Sequence, residues 1–184
     1  MSILKIARMG HPVLLRPAAA EAAEAIAGDA ELQRLIDDMK ETLEDAGGVG
    51  LAAPQIFQSR RIILAKAPPE RGEGAAPLTV LINPELELIG EERELGWEGC
   101  LSIPGLRGAV PRATRLVYRG FDRTGAPVEA EAHGFFARVL QHEVDHLDGV
   151  LYPMRMRDFR YFGFDEELTR LEAEAQAAER GEQG

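Results

Sequence analysis

The sequence is short of cysteine, of long apolar runs and of positive charge. Its one cysteine, Cys100, leaves no intrachain disulfide among 184 residues and closes the cystine-framework reading of small secreted proteins. A single free thiol fits a reducing compartment. From Met1 to Arg16 the apolar residues come in short groups broken by Lys5, Arg8 and His11, with no signal-peptide core. No later stretch approaches the length of a membrane span, so a cytoplasmic protein with no membrane partner is expected. Lys and Arg number 21 against 31 Asp and Glu, a formal net charge of −10. That field argues against binding DNA or anionic membrane non-specifically, although a local basic patch is still allowed. The hydrophobic fraction of 45% and charged fraction of 28% suit one globular domain spanning 1–184.

What the chain does have is centred on Gln141-His142-Glu143-Val144-Asp145-His146-Leu147. On a helix, His142 and His146 fall on one face a turn apart and can grip one ion. Glu143 lies to the side, placed to handle protons on a metal-bound water. A surface helix that happens to carry two histidines would read the same. A catalytic metal normally takes three protein ligands, and this helix offers two. Cys100, His133 and distant carboxylates are candidates for the third; Cys100 stands among small residues next to Glu98, within reach of an ion.

Ahead of this helix, Ile3, Leu4 and Ile6 suit an edge strand, and Gly10-His11-Pro12 marks a turn with His11 as a surface or capping residue. Asp29 is a reasonable N-cap for a helix to about Ala46, with Leu32, Leu35, Ile36, Met39 and Leu43 on its apolar face and Gly47-Gly48 as its stop. Gly48-Val49-Gly50-Leu51-Ala52-Ala53-Pro54-Gln55 has little side chain in the way and suits close approach of another backbone. Taken alone it is equally an ordinary glycine-rich turn. Gln55 can donate its amide to an oxygen. Strands are expected at 61–66, 78–83, 114–121 and 128–133, the last two joined by the Asp122-Arg123-Thr124-Gly125 hairpin turn. Residues 85–97 read as a strand pair or bent strand turning at Gly90-Glu91, and 67–77 as a flexible loop. The metal helix runs from near Phe135 to Gly149, with His133 structural or exposed before it. Residues 165–180 suit a terminal helix with a weak stripe of Leu168 and Leu171, ending in a frayed tail.

Three stretches, GVGLAAPQ (48–55), EGCLS (98–102) and QHEVDH (141–146), resemble in order and separation the three signature motifs of peptide deformylases. The resemblance covers nearly the whole chain and holds at every position that carries chemistry. It implies an α+β fold of mostly antiparallel strands around the central HExxH helix, with the 29–46 and C-terminal helices outside. It also implies removal of the formyl group from the formyl-methionine of nascent proteins. Carried over, Cys100, His142 and His146 bind the metal, Glu143 is the general acid/base, and Gln55 with the Leu101 N–H holds the formyl oxygen. The peptide is expected to lie extended against Val49, Gly50 and Gly99, its methionine in a pocket formed in part by Phe135, Arg138 and Val139. Arg138 is unusual in an apolar pocket, and its stem is expected to pack with the head in water.

The resemblance suggests Fe2+ as the native ion, with Zn2+, Ni2+ or Co2+ as substitutes. Iron beside a thiolate implies oxygen sensitivity at Cys100. The basic cluster Arg155, Arg157 and Arg160 is either a solvated arginine run or a docking patch for the ribosome. Two other readings use the same residues. A metallopeptidase would cleave internal bonds in unblocked peptides, and a non-catalytic member of the fold would bind metal or peptide only.

Overall fold

A computed structural model describes residues 2–181 and the side chains of residues 2–173; the tail expected to fray falls on 182–184, outside the described residues. The centre of the α+β fold is a strand with no polar face. β2 (Ile62–Ala67) buries Ile62 and Leu64 on one side and Ile63 and Ala65 on the other, so its near-continuous apolar run follows from having both faces covered. Ile62 and Leu64 pack with Leu32, Ile36, Met39 and Leu43 of α1 (Ala30–Asp45). Ile63 and Ala65 pack with Phe136, Ala137, Val139 and Leu140 of α2 (Gly134–Leu147). Each fully buried Leu or Ile here contributes roughly 1.5–3 kcal/mol of hydrophobic stabilisation. Asp29 caps α1 by accepting from the N–H groups of Glu31 (2.9 Å) and Leu32 (3.0 Å).

β2 belongs to a five-stranded antiparallel sheet in the order β1-β2-β3-β6-β7, formed with β1 (Gly50–Ala52), β3 (Ala76–Leu88), β6 (Arg115–Phe121) and β7 (Pro127–His133). A second antiparallel sheet has the order β4-β5-β8, from β4 (Arg93–Cys100), β5 (Ile103–Ala113) and β8 (Phe162–Phe164). The helix α2 packs chiefly on β2 and β1 and also touches β5, so it lies between the sheets. α3 (Asp165–Gly181) packs on β5 and β8 from outside; Leu168 is buried, whereas Leu171 is exposed.

Several local expectations are corrected. Residues 2–8 form no strand: Ser2 and Leu4 donate to Asp38 and Thr42 of α1, and Ala7 and Met9 donate to the carbonyls of Gln55 and Ser102. The segment is extended, but its partners are scattered, so no ladder forms. Residues 85–97 are not a strand pair. β3 ends at Leu88 in one sheet and β4 starts at Arg93 in the other, with the chain crossing at Gly90 (φ 70°). The strands β1, β5 and β8 are additions to the expected set. His11 does cap, accepting from the Val13 N–H through Nδ1.

Candidate active site

The site forms where the β4–β5 hairpin meets α2. β4 and β5 are joined by a tight turn in which Cys100 opposes Ile103, and the thiol is presented at its end. α2 begins at Gly134 (φ 55°), where a Cβ would stand 2.6 Å from the Glu73 carbonyl oxygen. Its apolar residues face the large sheet, while His142 and His146 turn toward Cys100 and Glu143 turns toward Gly50.

The ligand atoms of Cys100, His142 and His146 all lie within 4.8 Å of one another. Cys100 Sγ is 3.2 Å from His146 Nε2, and the two imidazole centroids are 5.0 Å apart. His142 Nδ1 sits 2.8 Å from Glu98 Oε2. An ionised carboxylate only accepts, so Nδ1 carries the proton and Nε2 is left as the ligand atom. Burial alone would raise the Glu98 pKa, but hydrogen bonds from His142 and Arg112 hold it down at about 2. The two histidines are pushed apart. Burial would lower His142, yet its bonds to Cys100 and Glu98 raise it well above the usual range. Burial and the nearby positive charge of His142 drive His146 well below it. Two borderline imidazoles and a thiol converging this tightly suit a divalent metal of the zinc or iron type. A second observation supports the fit: Glu143 Oε2 is buried without a hydrogen-bond partner in the protein, an acceptor left for a water at such an ion.

Glu143 is 4% exposed, and burial lifts its pKa to about 7. Its carboxyl lies directly against the α-carbon of Gly50, and a Cβ there would fall on Glu143 Oε1 and 2.6 Å from Cδ. The glycine in the first motif is therefore required by the glutamate in the third. Gln55 is fixed the right way round: its Oε1 accepts from the Ala52 N–H at 2.8 Å, which turns Nε2 toward Ser102 Oγ (3.2 Å) and Cys100 Sγ (3.5 Å).

All of the expected site residues except His146 line one cleft of about 510 Å³. Val49 and Gly50 form one wall with edge strand β1, Gly99 and Leu101 the other with edge strand β4, and Phe135, Arg138 and Val139 the helix side. A larger open hollow of about 810 Å³ near Asn83 and Arg119 holds none of these residues; it is a groove across the strand surface rather than a reactive centre.

One expectation about an arginine is corrected. The Arg138 head is not in water: the residue is 9% exposed, and its guanidinium meets Glu98 and the carbonyls of Glu94, Gly96 and Val110. In the basic cluster, Arg155 pairs with Asp145 (2.7 Å) and Arg160 with Asp158 (2.6 Å), so that patch presents much less free charge than the sequence implies. The buried ion network behind His142 has no counterpart among the sequence expectations. Arg112 holds both oxygens of Glu98 (2.8 and 3.0 Å) and reaches Asp145 at 2.6 Å. The signal for it is Asp145, a carboxylate inside the metal pentad, whose partner comes from a strand that only the β4–β5 register reveals.

A Cys-His-His group with its thiol at the end of β4 and its imidazoles on an HExxH helix, half-buried at Cys100 and His142 and buried at His146, with a free carboxylate beside it and a cleft edged by two strands, marks a metal-dependent hydrolase acting on an amide. Within that class the chain belongs to the polypeptide deformylase family, whose model matches residues 3–161. It is 47% identical over 169 residues to peptide deformylase 1 of Nitrosomonas europaea, covering 90% of this chain and 94% of that one. Against peptide deformylase 2 of Pseudomonas putida the identity is 49% over 171 residues, again 90% and 94%. A Met-Ala-Ser-bound crystal structure of the class I type b peptide deformylase from Acinetobacter baumannii superposes with a TM-score of 0.77. That structure is 38% identical, over 83% of this chain and 99% of its own.

Proposed function

We propose that this chain, acting as one domain, removes the formyl group from N-formylmethionyl peptides and releases formate and a free amine. The observation that carries the reading is the lodging of the Glu143 carboxyl against Gly50, beside the three metal-ligand atoms and inside the cleft. Cys100, His142 and His146 would hold a divalent ion, natively Fe2+ with Zn2+, Ni2+ or Co2+ as substitutes, which when bound lowers the pKa of a water and polarises a carbonyl.

Glu143 accepts a proton from the attacking water as the new C–O bond forms at the formyl carbon. The Gln55 amide and the Leu101 N–H are the donors for the oxygen that gains negative charge. The C–N bond then breaks as Glu143 returns its proton to the departing amine. The peptide adds as an extended strand between β1 and β4, against the backbone of Val49, Gly50 and Gly99. Phe135 and Val139, with the aliphatic stem of Arg138, wall the methionine side chain. The Met-Ala-Ser complex of the Acinetobacter relative supports this class of ligand.

Nascent chains in the cytoplasm are the proposed substrates. No helix among the described residues is long and apolar enough to cross a membrane. A ribosome contact would rest chiefly on Arg157, since Arg155 and Arg160 are paired within the chain. The test is formate release from formyl-Met-Ala-Ser by anaerobically metal-loaded protein. Release by the parent but not by Glu143→Ala, at equal metal content, is expected. Cleavage of an unblocked peptide in place of formate release would overturn the proposal in favour of a metallopeptidase.

A further inference from the structure

We infer that the Arg138 guanidinium positions His142, acting through Glu98, and does not itself hold substrate, the stem alone lining the cleft; this rests on reading Cys100, His142 and His146 as metal ligands. Arg138 and His142 are one turn apart on the same face of α2 and end on the same carboxylate. Arg138 Nη1 donates to Glu98 Oε1 at 3.0 Å, and His142 Nδ1 donates to Glu98 Oε2 at 2.8 Å. Arg112 completes the clamp on both oxygens. Glu98 therefore ties two successive turns of the helix to β4, and its plane sets the direction of the His142 ring.

The remaining donors of Arg138 fix it to the hairpin itself. Nη1 also meets the Val110 carbonyl at 2.8 Å and the Gly96 carbonyl at 3.3 Å, and Nη2 meets the Glu94 carbonyl at 2.7 Å. A guanidinium held by one carboxylate and three carbonyls is committed to the hairpin, with Nη1 fully engaged and only Nε–H and one Nη2–H outside these bonds. Its path requires Gly96. Gly96, Glu98 and Cys100 alternate onto one face of β4, and a Cβ at Gly96 would stand 2.7 Å from Arg138 Nη2 and 2.8 Å from Cζ. Gly96 makes room for the guanidinium, Glu98 receives it, and Cys100 stands two residues further on. The pair Gly96 and Arg138 is thus one device that braces the metal-bearing helix against the thiol-bearing strand.

The test is metal retention, read without turnover. Arg138→Met removes the guanidinium and keeps an unbranched stem. Loss of a bond that orients a metal-binding histidine typically weakens affinity by about 10–100-fold. Zinc transfer from Arg138→Met to a chelator should accordingly be about tenfold faster or more, and the absorption bands of the cobalt(II) form should shift. The KM for formyl-Met-Ala-Ser should stay within about twofold while kcat falls. Gly96→Ala, which keeps the arginine but displaces its guanidinium, should speed zinc loss in the same direction, and should add little in the Arg138→Met background. Unchanged zinc release and cobalt spectrum, with a raised KM, would overturn the inference and make the guanidinium a substrate-holding group. Should Arg138→Met not fold, unchanged zinc release in Gly96→Ala overturns it equally. Because the readout needs no formate, absent deformylation would undo the proposed function and leave this inference intact.

Discussion

Gly50→Ala isolates one contact of the site with a single methyl group. Gly50 is not in the left-handed region, so alanine is not strained by its backbone. The added Cβ would stand 2.6 Å from Glu143 Cδ and 2.8 Å from Cγ, against an ordinary contact of about 3.6 Å. The carboxyl must retreat by about 1 Å, and a misplacement of that size costs about 10²-fold in rate, or about 2.7 kcal/mol of transition-state free energy. The overpacking adds about 1–3 kcal/mol of destabilisation, within what a domain of this size tolerates. The assay is kcat for formate release at matched metal content, with thermal unfolding measured alongside. Gly28→Ala is the control, because nothing lies within 4 Å of its Cβ position. A folded, metal-loaded Gly50→Ala with kcat within about threefold of the parent would refute the reasoning, since Glu143 would then not act from where it lies.

Other consequences are independent of that contact. Arg112→Met leaves Glu98 and Asp145 buried without their shared cation and should destabilise by about 3–5 kcal/mol in denaturant unfolding; a cost below about 1 kcal/mol would mean that Arg138 and Arg155 suffice. Ile36→Ala, at a fully buried position between α1 and the sheet, should cost about 2–5 kcal/mol, and an unchanged midpoint would contradict the packing described. Asp37 is held below the ordinary carboxylate range chiefly by the hydrogen bond from Arg123. A lowered folded-state pKa gives stability that is present above the unfolded value and lost as pH falls through the folded one. The difference in melting temperature between parent and Asp37→Asn should therefore shrink below about pH 4; a constant difference across that range would exclude the linkage.

The parts of this molecule legible in its sequence are those set by short-range geometry. The spacing of His142 and His146, the Asp29 cap, the apolar run of β2 and the turn at Asp122–Gly125 each depend on neighbours within a turn or two, and each is found where expected. β5 was not legible because Ile103–Ala113 carries two glycines and two prolines, and its extended form comes from pairing with β4 and β8. The Arg138 head was misplaced for the same reason: its partners lie on β4 and β5, about 28 to 44 residues away in sequence. Ile3, Leu4 and Ile6 look like a strand by composition, but residues 2–9 are bonded to four separate places. Charge counting likewise overstated the Arg155–Arg160 cluster, since Asp145, its partner for Arg155, comes from inside the metal helix. Local pattern suffices to mark the residues that converge at Cys100, His142 and His146; the bracing around them requires the tertiary pairing.

The most direct measurement of the central claim is the mass of formyl-Met-Ala-Ser before and after incubation with anaerobically iron-loaded protein, beside acetyl-Met-Ala-Ser and the Glu143→Gln variant. The account predicts loss of the formyl group alone by the parent, an untouched acetyl peptide, and no reaction in Glu143→Gln with its metal still bound. A Glu143→Gln protein that deformylates at the parent rate, or a parent that leaves the formyl peptide intact while metal-loaded and folded, would contradict it.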